Sequence, residues 1–375
     1  MRAVDEFERR VRAELEKLGR AGLRRSLRAP SGIDLSSNDY LGLAAHPMLK
    51  QRMAAAVCEY GCGSTGSRLL RGERECFSQV ERRFADFKGT ERALYFSSGY
   101  LANLAVLAVF PESGDVIFSD ERNHASLIDG ARLSRARRVI FPHNDAAALA
   151  RLMSEATGAG QRFIVVESLF SVDGDFAPLT EYAALCRETG AALIVDEAHA
   201  VGIYGERGQG LAAPEMAGHR PAPLGLISIN TAGKALGVAG AFVAGPEWAI
   251  EFLAQRARTF IFSTAPPPAV AAALDASLEL IEGEPKRRGR LLELASYVRR
   301  RLGVGGSSQI IPVVLGSNER AMAVAEALQR EGFDVRAIRP PTVPEGTARL
   351  RISVNVNLSE TVIDRFVDAL CAASS

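Results

Sequence analysis

Four short segments of this 375-residue chain set a reactive side chain directly after an apolar run. Lys234 lies in Asn230-Thr231-Ala232-Gly233-Lys234-Ala235-Leu236-Gly237, behind the run 226–229. Its small neighbours leave room for a bulky ring, and an amine among apolar atoms gives up part of its proton affinity, which favours imine formation. Asp196 closes the run 191–196, where a carboxylate can face a ligand, and His199 follows three residues on. His124 follows another such run. The stretch Ser97-Ser98-Gly99-Tyr100-Leu101-Ala102-Asn103 joins a strand pattern to a helix pattern. The first turn of that helix offers free N–H groups and a positive dipole end to a phosphate, and Gly99 permits close approach. An amine, a carboxylate for a ring nitrogen, an imidazole to stack on the ring, another to reach its phenolic oxygen and a phosphate seat are the parts that pyridoxal 5′-phosphate (PLP) requires.

Each feature has a plainer reading. Lys234 could be a surface lysine in a glycine-rich loop, and Asp196 a helix cap or structural ion pair. His199 could be a hydrogen-bonded core residue, His124 a loop histidine, and 97–103 a tight strand-to-helix turn. Their joint occurrence in one register, in the order phosphate loop, His, Asp, Lys, argues for PLP over the separate alternatives.

The elements that must position these groups alternate. Strands are predicted at 93–97, 115–119, 138–141, Arg162–Glu167, 191–196, 224–229 and 240–244, with amphipathic helices between them. One such helix, Leu179–Thr189, ends at Gly190 as a C-cap should. This pattern predicts a mainly parallel sheet covered by helices, and strands apolar throughout are expected where both faces are buried. After Pro266-Pro267-Pro268 come helices at 269–282 and 287–302, then an α+β arrangement: strand 310–315, helix 319–331, strands 334–337 and 348–354, and helix 360–373. The expected plan is an N-terminal helical arm over 1–40, a large PLP-binding α/β domain over 41–275, and a small C-terminal α+β domain over 276–375.

Composition narrows the class. With 47% hydrophobic and 24% charged residues the chain reads as a soluble protein with a large core, and a net charge of +1 supplies no global field for nucleic acid or a membrane surface. Apolar runs fall far short of the roughly 20 residues that span a bilayer. The acidic residues Asp5, Glu6, Glu8, Glu14 and Glu16 argue against an organelle transit peptide, so a cytoplasmic location is expected. Val4, Phe7, Val11, Leu15 and Leu18 are spaced as one helix face. Five cysteines without a CxxC pair predict reduced thiols and no metal site. Gly61-Cys62-Gly63-Ser64-Thr65-Gly66 fits G-x-G-x-x-G, yet the helix-like stretch 51–60 precedes it where a dinucleotide fold needs a strand. The Asp196-Glu197-Ala198-His199 run resembles a helicase motif but lacks an upstream phosphate loop, and no G-x-S-x-G elbow is present.

The landmarks Ser36-Ser37-Asn38-Asp39-Tyr40-Leu41-Gly42-Leu43, Gly63-Ser64-Thr65-Gly66-Ser67-Arg68, Ser98-Gly99-Tyr100, His124-Ala125-Ser126, His143-Asn144-Asp145, Ser171-Val172-Asp173-Gly174-Asp175, Asp196-Glu197-Ala198-His199 and Thr231-Ala232-Gly233-Lys234 occur in this order. Together they resemble the α-oxoamine synthase family over nearly the whole chain. The resemblance implies PLP-dependent fold type I (aspartate aminotransferase-like), with a large, mainly parallel sheet domain and a smaller α+β C-terminal domain. The run from Ala337 through Arg339-Pro340-Pro341-Thr342 to Arg351 is most similar to members that condense L-alanine with a pimeloyl thioester, pimeloyl-CoA or pimeloyl-acyl carrier protein, in biotin biosynthesis. A sibling activity using glycine or serine with another acyl-CoA is the alternative. By resemblance Lys234 holds the cofactor as a Schiff base, Asp196 pairs with the ring nitrogen and His124 stacks on the ring. His199 and Ser171 contact the phenolic oxygen. Gly99, Tyr100 and Thr231 hold the phosphate, joined by Thr264 from a neighbouring subunit of a homodimer. Arg351 grips the amino-acid carboxylate, and Arg24, with Arg25 an equal contender, meets the acyl carboxylate.

Overall fold

The computed structural model describes residues 2–158, 160–212 and 225–374. In chain order it begins with α1 (Arg2–Arg20), β1 (Ile33–Asp34), α2 (Pro47–Tyr60), α3 (Glu75–Lys88), β2 (Arg92–Phe96), α4 (Gly99–Val109), β3 (Val116–Asp120) and α5 (Ala125–Leu133). There follow β4 (Arg137–Phe141), α6 (Ala146–Glu155), β5 (Arg162–Glu167), α7 (Leu179–Thr189), β6 (Ala192–Asp196), β7 (Leu226–Thr231), β8 (Ala241–Gly245), α8 (Glu247–Arg256), α9 (Arg258–Ile261) and α10 (Pro268–Gly283). The last are α11 (Pro285–Leu302), β9 (Ile310–Gly316), α12 (Asn318–Arg330), β10 (Phe333–Asp334), β11 (Ala337–Ile338), β12 (Ala348–Ser353) and α13 (Glu360–Ser374).

Two compact units result: Asn38–Leu291, and Met1–Ser37 together with Leu292–Ser375. The larger unit thus runs past position 275, the sequence-based end of the large domain. α10 explains the difference, since it packs on α2 and α3 and buries Ala269, Ala273, Leu274 and Leu278 there.

The larger unit holds a seven-stranded sheet in the order β2-β8-β7-β6-β5-β3-β4. β4, β3, β5, β6 and β7 are parallel, while β8 runs antiparallel to both β7 and β2. β3, β4, β5 and β6 follow one another through the crossover helices α5, α6 and α7, and the strands' side chains alternate between two buried faces. Ile117, Phe163, Val165 and Ile194 enter one core with α4, α5 and α8. Phe118, Ile164, Val166 and Val195 enter the other with α6 and α7. Burial on both faces is why the strands are apolar at nearly every position.

β7 returns to β8 without a helix. Ala232 N–H donates to Gly240 O at 2.8 Å and Gly237 N–H to Lys234 O at 2.8 Å, closing a tight loop with Lys234 inside it. Gly240 is fixed by packing: a Cβ there would lie 2.1 Å from the Tyr95 hydroxyl. Leu224, the predicted start of this strand, lies outside the described residues.

The smaller unit contains the antiparallel sheet β11-β12-β9, the short parallel pair β1-β10, and helices α12 and α13. The single strand expected at 334–337 is instead two two-residue strands, β10 and β11, with different partners. The break follows from Val335 N–H turning back to Phe333 O and Gln329 Nε2 donating to Val335 O, which takes this backbone out of any ladder. α1 forms where its apolar spacing predicts, but Phe7, Val11 and Leu15 remain exposed.

Candidate active site

The sheet's parallel strands deliver their reactive residues at the carboxyl ends, where ligands of open α/β sheets bind. Glu167 and Asp196 close β5 and β6 and are register partners. Strand alternation places both on the face packed by α4 and α5.

Asp196 is 4% exposed, and its carboxylate accepts from Asn103 Nδ2 at 2.7 Å and from Ala198 N–H at 2.9 Å. Asn103 sits one turn into the otherwise apolar α4 and also donates to Ser126 Oγ at 2.8 Å. Ser126 Oγ in turn lies 2.7 Å from His124 Nδ1. An unbroken chain of hydrogen bonds therefore runs from His124 to Asp196. It fixes the imidazole's orientation and the carboxylate's at once. His124 also caps α5, accepting from Ser126 N–H. Desolvation lowers the proton affinity of His124, an effect opposed by Asp196 and strengthened by Lys234.

Lys234 Nζ stands 3.0 Å from His199 Nε2. The other nitrogen of His199 is 2.7 Å from the hydroxyl of Tyr40, a fully buried residue that also donates to Asn38 Oδ1 at 3.0 Å. The amine thus faces one end of an imidazole whose far end is anchored. Beneath the segment that carries Asp196 and His199 lies a buried ion pair of Lys88 with Glu197, each side chain 0% exposed.

At the start of α4, Ser98 accepts from Leu101 N–H and caps the helix. A Cβ at Gly99 would lie 2.3 Å from Thr231 Oγ1, so the N-terminal turn and Thr231 approach as closely as a glycine allows. The Tyr100 hydroxyl donates to Asp129, and its ring stands edge-on to His124 with centroids 6.4 Å apart. Ser171 N–H donates to Glu167 Oε2 at 3.1 Å. Thr264 is exposed and forms an isolated antiparallel bridge with Ser67. Arg351 and Arg24 belong to the smaller unit, where Arg351 donates to Ser353 Oγ at 2.8 Å and Arg24 is exposed.

Lys234, His199, Asp196, His124, Gly99 and Thr231 are therefore brought together in pairs or chains within the larger unit. Four further members escaped the reading of the sequence. Tyr40, Asn103 and Ser126 lie within motifs quoted above without a role, and their chemistry emerges only through distant partners. Glu167 carried a readable signal: it ends its apolar strand just as Asp196 does. It is 3% exposed, and its Oε1 has no hydrogen-bond partner. Burial, with the charge of Asp196 added, pushes Glu167 up to about 8, against the pull of Lys234 and two backbone N–H groups.

These residues fit PLP. The close approach at Gly99 is a seat with no room for a Cβ. Asp196 is a preorganised anion, His124 is oriented through Ser126, and Lys234 is a partly buried amine. Among the described residues, no group of three or more His, Cys, Asp or Glu is arranged to hold a metal ion.

The family model for class I and II aminotransferases matches residues 30–370. The chain belongs to that family. Within it, the chain is 46% identical to the 8-amino-7-oxononanoate synthase of Geobacter sulfurreducens, over 96% of this chain and 97% of that one. It is 47% identical to the 8-amino-7-oxononanoate synthase of Burkholderia orbicola, over 91% and 86%. Among solved structures of the fold, serine palmitoyltransferase from S. paucimobilis with a bound PLP–myriocin aldimine superposes with a TM-score of 0.88 at 28% identity, covering 97% of this chain and 96% of that one. The 8-amino-7-oxononanoate synthase of Francisella tularensis superposes with a TM-score of 0.78 at 30% identity, covering 91% and 97%. The fold and the family resemblance read from the motifs are borne out. This aminotransferase-family chain is a PLP-dependent enzyme of fold type I.

Proposed function

We propose that the chain catalyses the decarboxylative condensation of L-alanine with a pimeloyl thioester, giving 8-amino-7-oxononanoate, carbon dioxide and a free thiol in biotin biosynthesis. The observation that carries this reading is the Lys234–His199 pair beside the Asp196–Asn103–Ser126–His124 chain, in a protein so similar end to end to 8-amino-7-oxononanoate synthases.

When bound, PLP supplies an electron sink that acidifies the α-carbon of alanine and later takes up the electrons left as carbon dioxide departs. Lys234 would be the amine that holds the cofactor, and its free amine would serve as the base for the α-proton. His199, held by Tyr40, faces that amine and orients it. Asp196 keeps the ring nitrogen protonated, its own lone pairs held by Asn103 and the Ala198 N–H. His124 covers the ring face, while His199 and Ser171 meet the phenolic oxygen. Gly99, Tyr100 and Thr231 seat the phosphate, with Thr264 supplied by the second subunit of a homodimer. Arg351 binds the carboxylate of alanine through a bidentate guanidinium, and Arg24 meets the far carboxylate of the pimeloyl chain. No described helix is long and apolar enough to cross a membrane.

Lys234→Ala tests the assignment. A positioned general base contributes about 10²–10⁴-fold, so turnover should fall by at least that factor and covalent cofactor labelling after borohydride should vanish. Wild-type turnover in the variant would refute the role of Lys234. Thiol release driven by glycine or serine in preference to L-alanine would refute the substrate.

A further inference from the structure

The landmark His143-Asn144-Asp145, in the turn between β4 and α6, has no part in the site assembled so far. His143 Nδ1 lies 2.9 Å from Asp120 Oδ1 and its Nε2 2.6 Å from Asp175 Oδ2, with the side chain 10% exposed. A carboxylate only accepts, so an imidazole bonded to one at each nitrogen donates from both, which only the cation can do. The ring also stands edge-on to Phe170, with centroids 4.4 Å apart.

These two carboxylates belong to the segments that carry His124 and Ser171. Asp120 ends β3 and is buried; its carboxylate accepts the N–H of Arg122 at 2.8 Å and its carbonyl that of Asn123 at 3.2 Å, shaping the turn that delivers His124. Asp175 lies in a hairpin that follows β5. Phe170 N–H donates to Asp175 O at 2.9 Å and Gly174 N–H to Phe170 O at 3.0 Å, closing the loop that holds Ser171. Asn144, at a left-handed φ of +56°, supports the bridge: its N–H donates to Asp120 Oδ2 at 2.9 Å and its side-chain amide to Asp175 Oδ2 at 3.1 Å. Arg122 joins the same two segments through Asp173 at 2.9 Å, but its side chain is 50% exposed and such a pair is weak. The other titratable groups packed nearby are Asp145, which caps α6, and Glu181 and Tyr182 of α7, the phenol being pushed up by burial and by the charge of Asp120. We infer that His143 is a positioning residue for the cofactor: its imidazolium holds the His124 turn and the Ser171 hairpin in the relative placement that lets both reach the PLP ring, resting on the contacts proposed above for those two residues.

The bridge depends on charge. The folded value of His143, about 9, exceeds the unfolded one, so the bridge is intact below it and is lost as pH rises through it. The test measures Kd for PLP by equilibrium dialysis, with the full-length wild type and His143→Gln, at about pH 7 and about pH 10. Far-ultraviolet circular dichroism checks that each protein is folded under both conditions. Glutamine leaves one of the two carboxylates without its donor, and losing a charge-assisted bond corresponds to about tenfold. The Kd of the variant should therefore be about tenfold above wild type at about pH 7 and within about twofold at about pH 10, where the wild type has lost its own bridge. Titration of Lys234 is common to both proteins and cancels in the ratio. A ratio that stays constant with pH assigns His143 to the fold alone and overturns the inference, as does an unchanged affinity at the lower pH; both leave the PLP contacts standing. Asp175→Asn, on the more exposed side of the bridge, should show the same convergence, and a constant ratio there overturns the inference even if His143→Gln fails to fold. Ser171→Ala should weaken PLP binding at about pH 7. Wild-type affinity in that variant removes the contact of Ser171, and the positioning role falls with it.

Discussion

Replacing Lys88 with methionine should destabilise the larger unit more than any surface substitution. Lys88 closes α3 with its ammonium fully buried, bound to Glu197 and, at 2.7 Å, to the carbonyl of Gln209. Burial lowers its proton affinity, and the Glu197 carboxylate opposes that shift. Glu197 also accepts the N–H of Leu211 at 2.9 Å, so the pair pins residues 209–211 to the segment that bears Asp196 and His199. Methionine keeps most of the side-chain volume, so the cavity contribution is small. What remains is a buried carboxylate without its cation, which costs about 3–5 kcal/mol. Urea titration followed by far-ultraviolet circular dichroism measures the loss. The double variant Lys88→Met/Glu197→Gln removes the stranded charge while keeping an acceptor for Leu211, and should recover about half of the loss or more. A single-variant loss below about 1 kcal/mol, or a double variant less stable than the single, would refute the view that an uncompensated charge is the cause.

Gly99→Ala should force Thr231 away from the start of α4, because the added Cβ would sit 2.3 Å from its hydroxyl; weaker PLP binding by equilibrium titration, with an unchanged far-ultraviolet spectrum, is the expected result. His143 bridges Asp120 at 2.9 Å and Asp175 at 2.6 Å, and these bonds overcome burial to push it up to about 9. Its folded value exceeds the unfolded one, so its stabilisation is complete below about 6.5 and is lost as pH rises through about 9; the urea-midpoint advantage of wild type over His143→Gln should shrink across that window. Glu167 follows the same sign with a different outcome. It is neutral in the folded protein up to about 8 but ionises in the unfolded chain near 4.5, so the wild type loses stability between those values. Glu167→Gln should therefore gain on wild type as pH rises from 5 to 8, and a constant difference in urea midpoint would contradict the neutral carboxyl.

Much of this protein was legible because its chemistry is tied to local pattern. An apolar strand buried on both faces can place a polar side chain only where it ends, so Asp196, His124 and the Ser98-Gly99 turn were visible as breaks in such runs. Glu167 met the same criterion, yet a strand-end carboxylate says nothing of its charge. That is set by Asp196 on the neighbouring strand and by the depth of burial. Lys234 was placed by its glycine-rich loop, whereas the reversal of β8 that tightens the loop depends on Gly240 packing against Tyr95, a contact between distant parts of the chain.

The sequence by itself determined the alternating strands and helices, the identity of the amine, carboxylate and imidazoles, and the family to which they belong, since each is a matter of residue type and short-range spacing. Tertiary structure alone decided which groups hold them in place. Asn103 reaches Asp196 across 93 residues, and Tyr40 reaches His199 across 159. Hydrogen bonds at such separations follow no period along the chain; they exist because neighbouring strands bring their carboxyl ends to one edge, and because polar groups buried there must find partners.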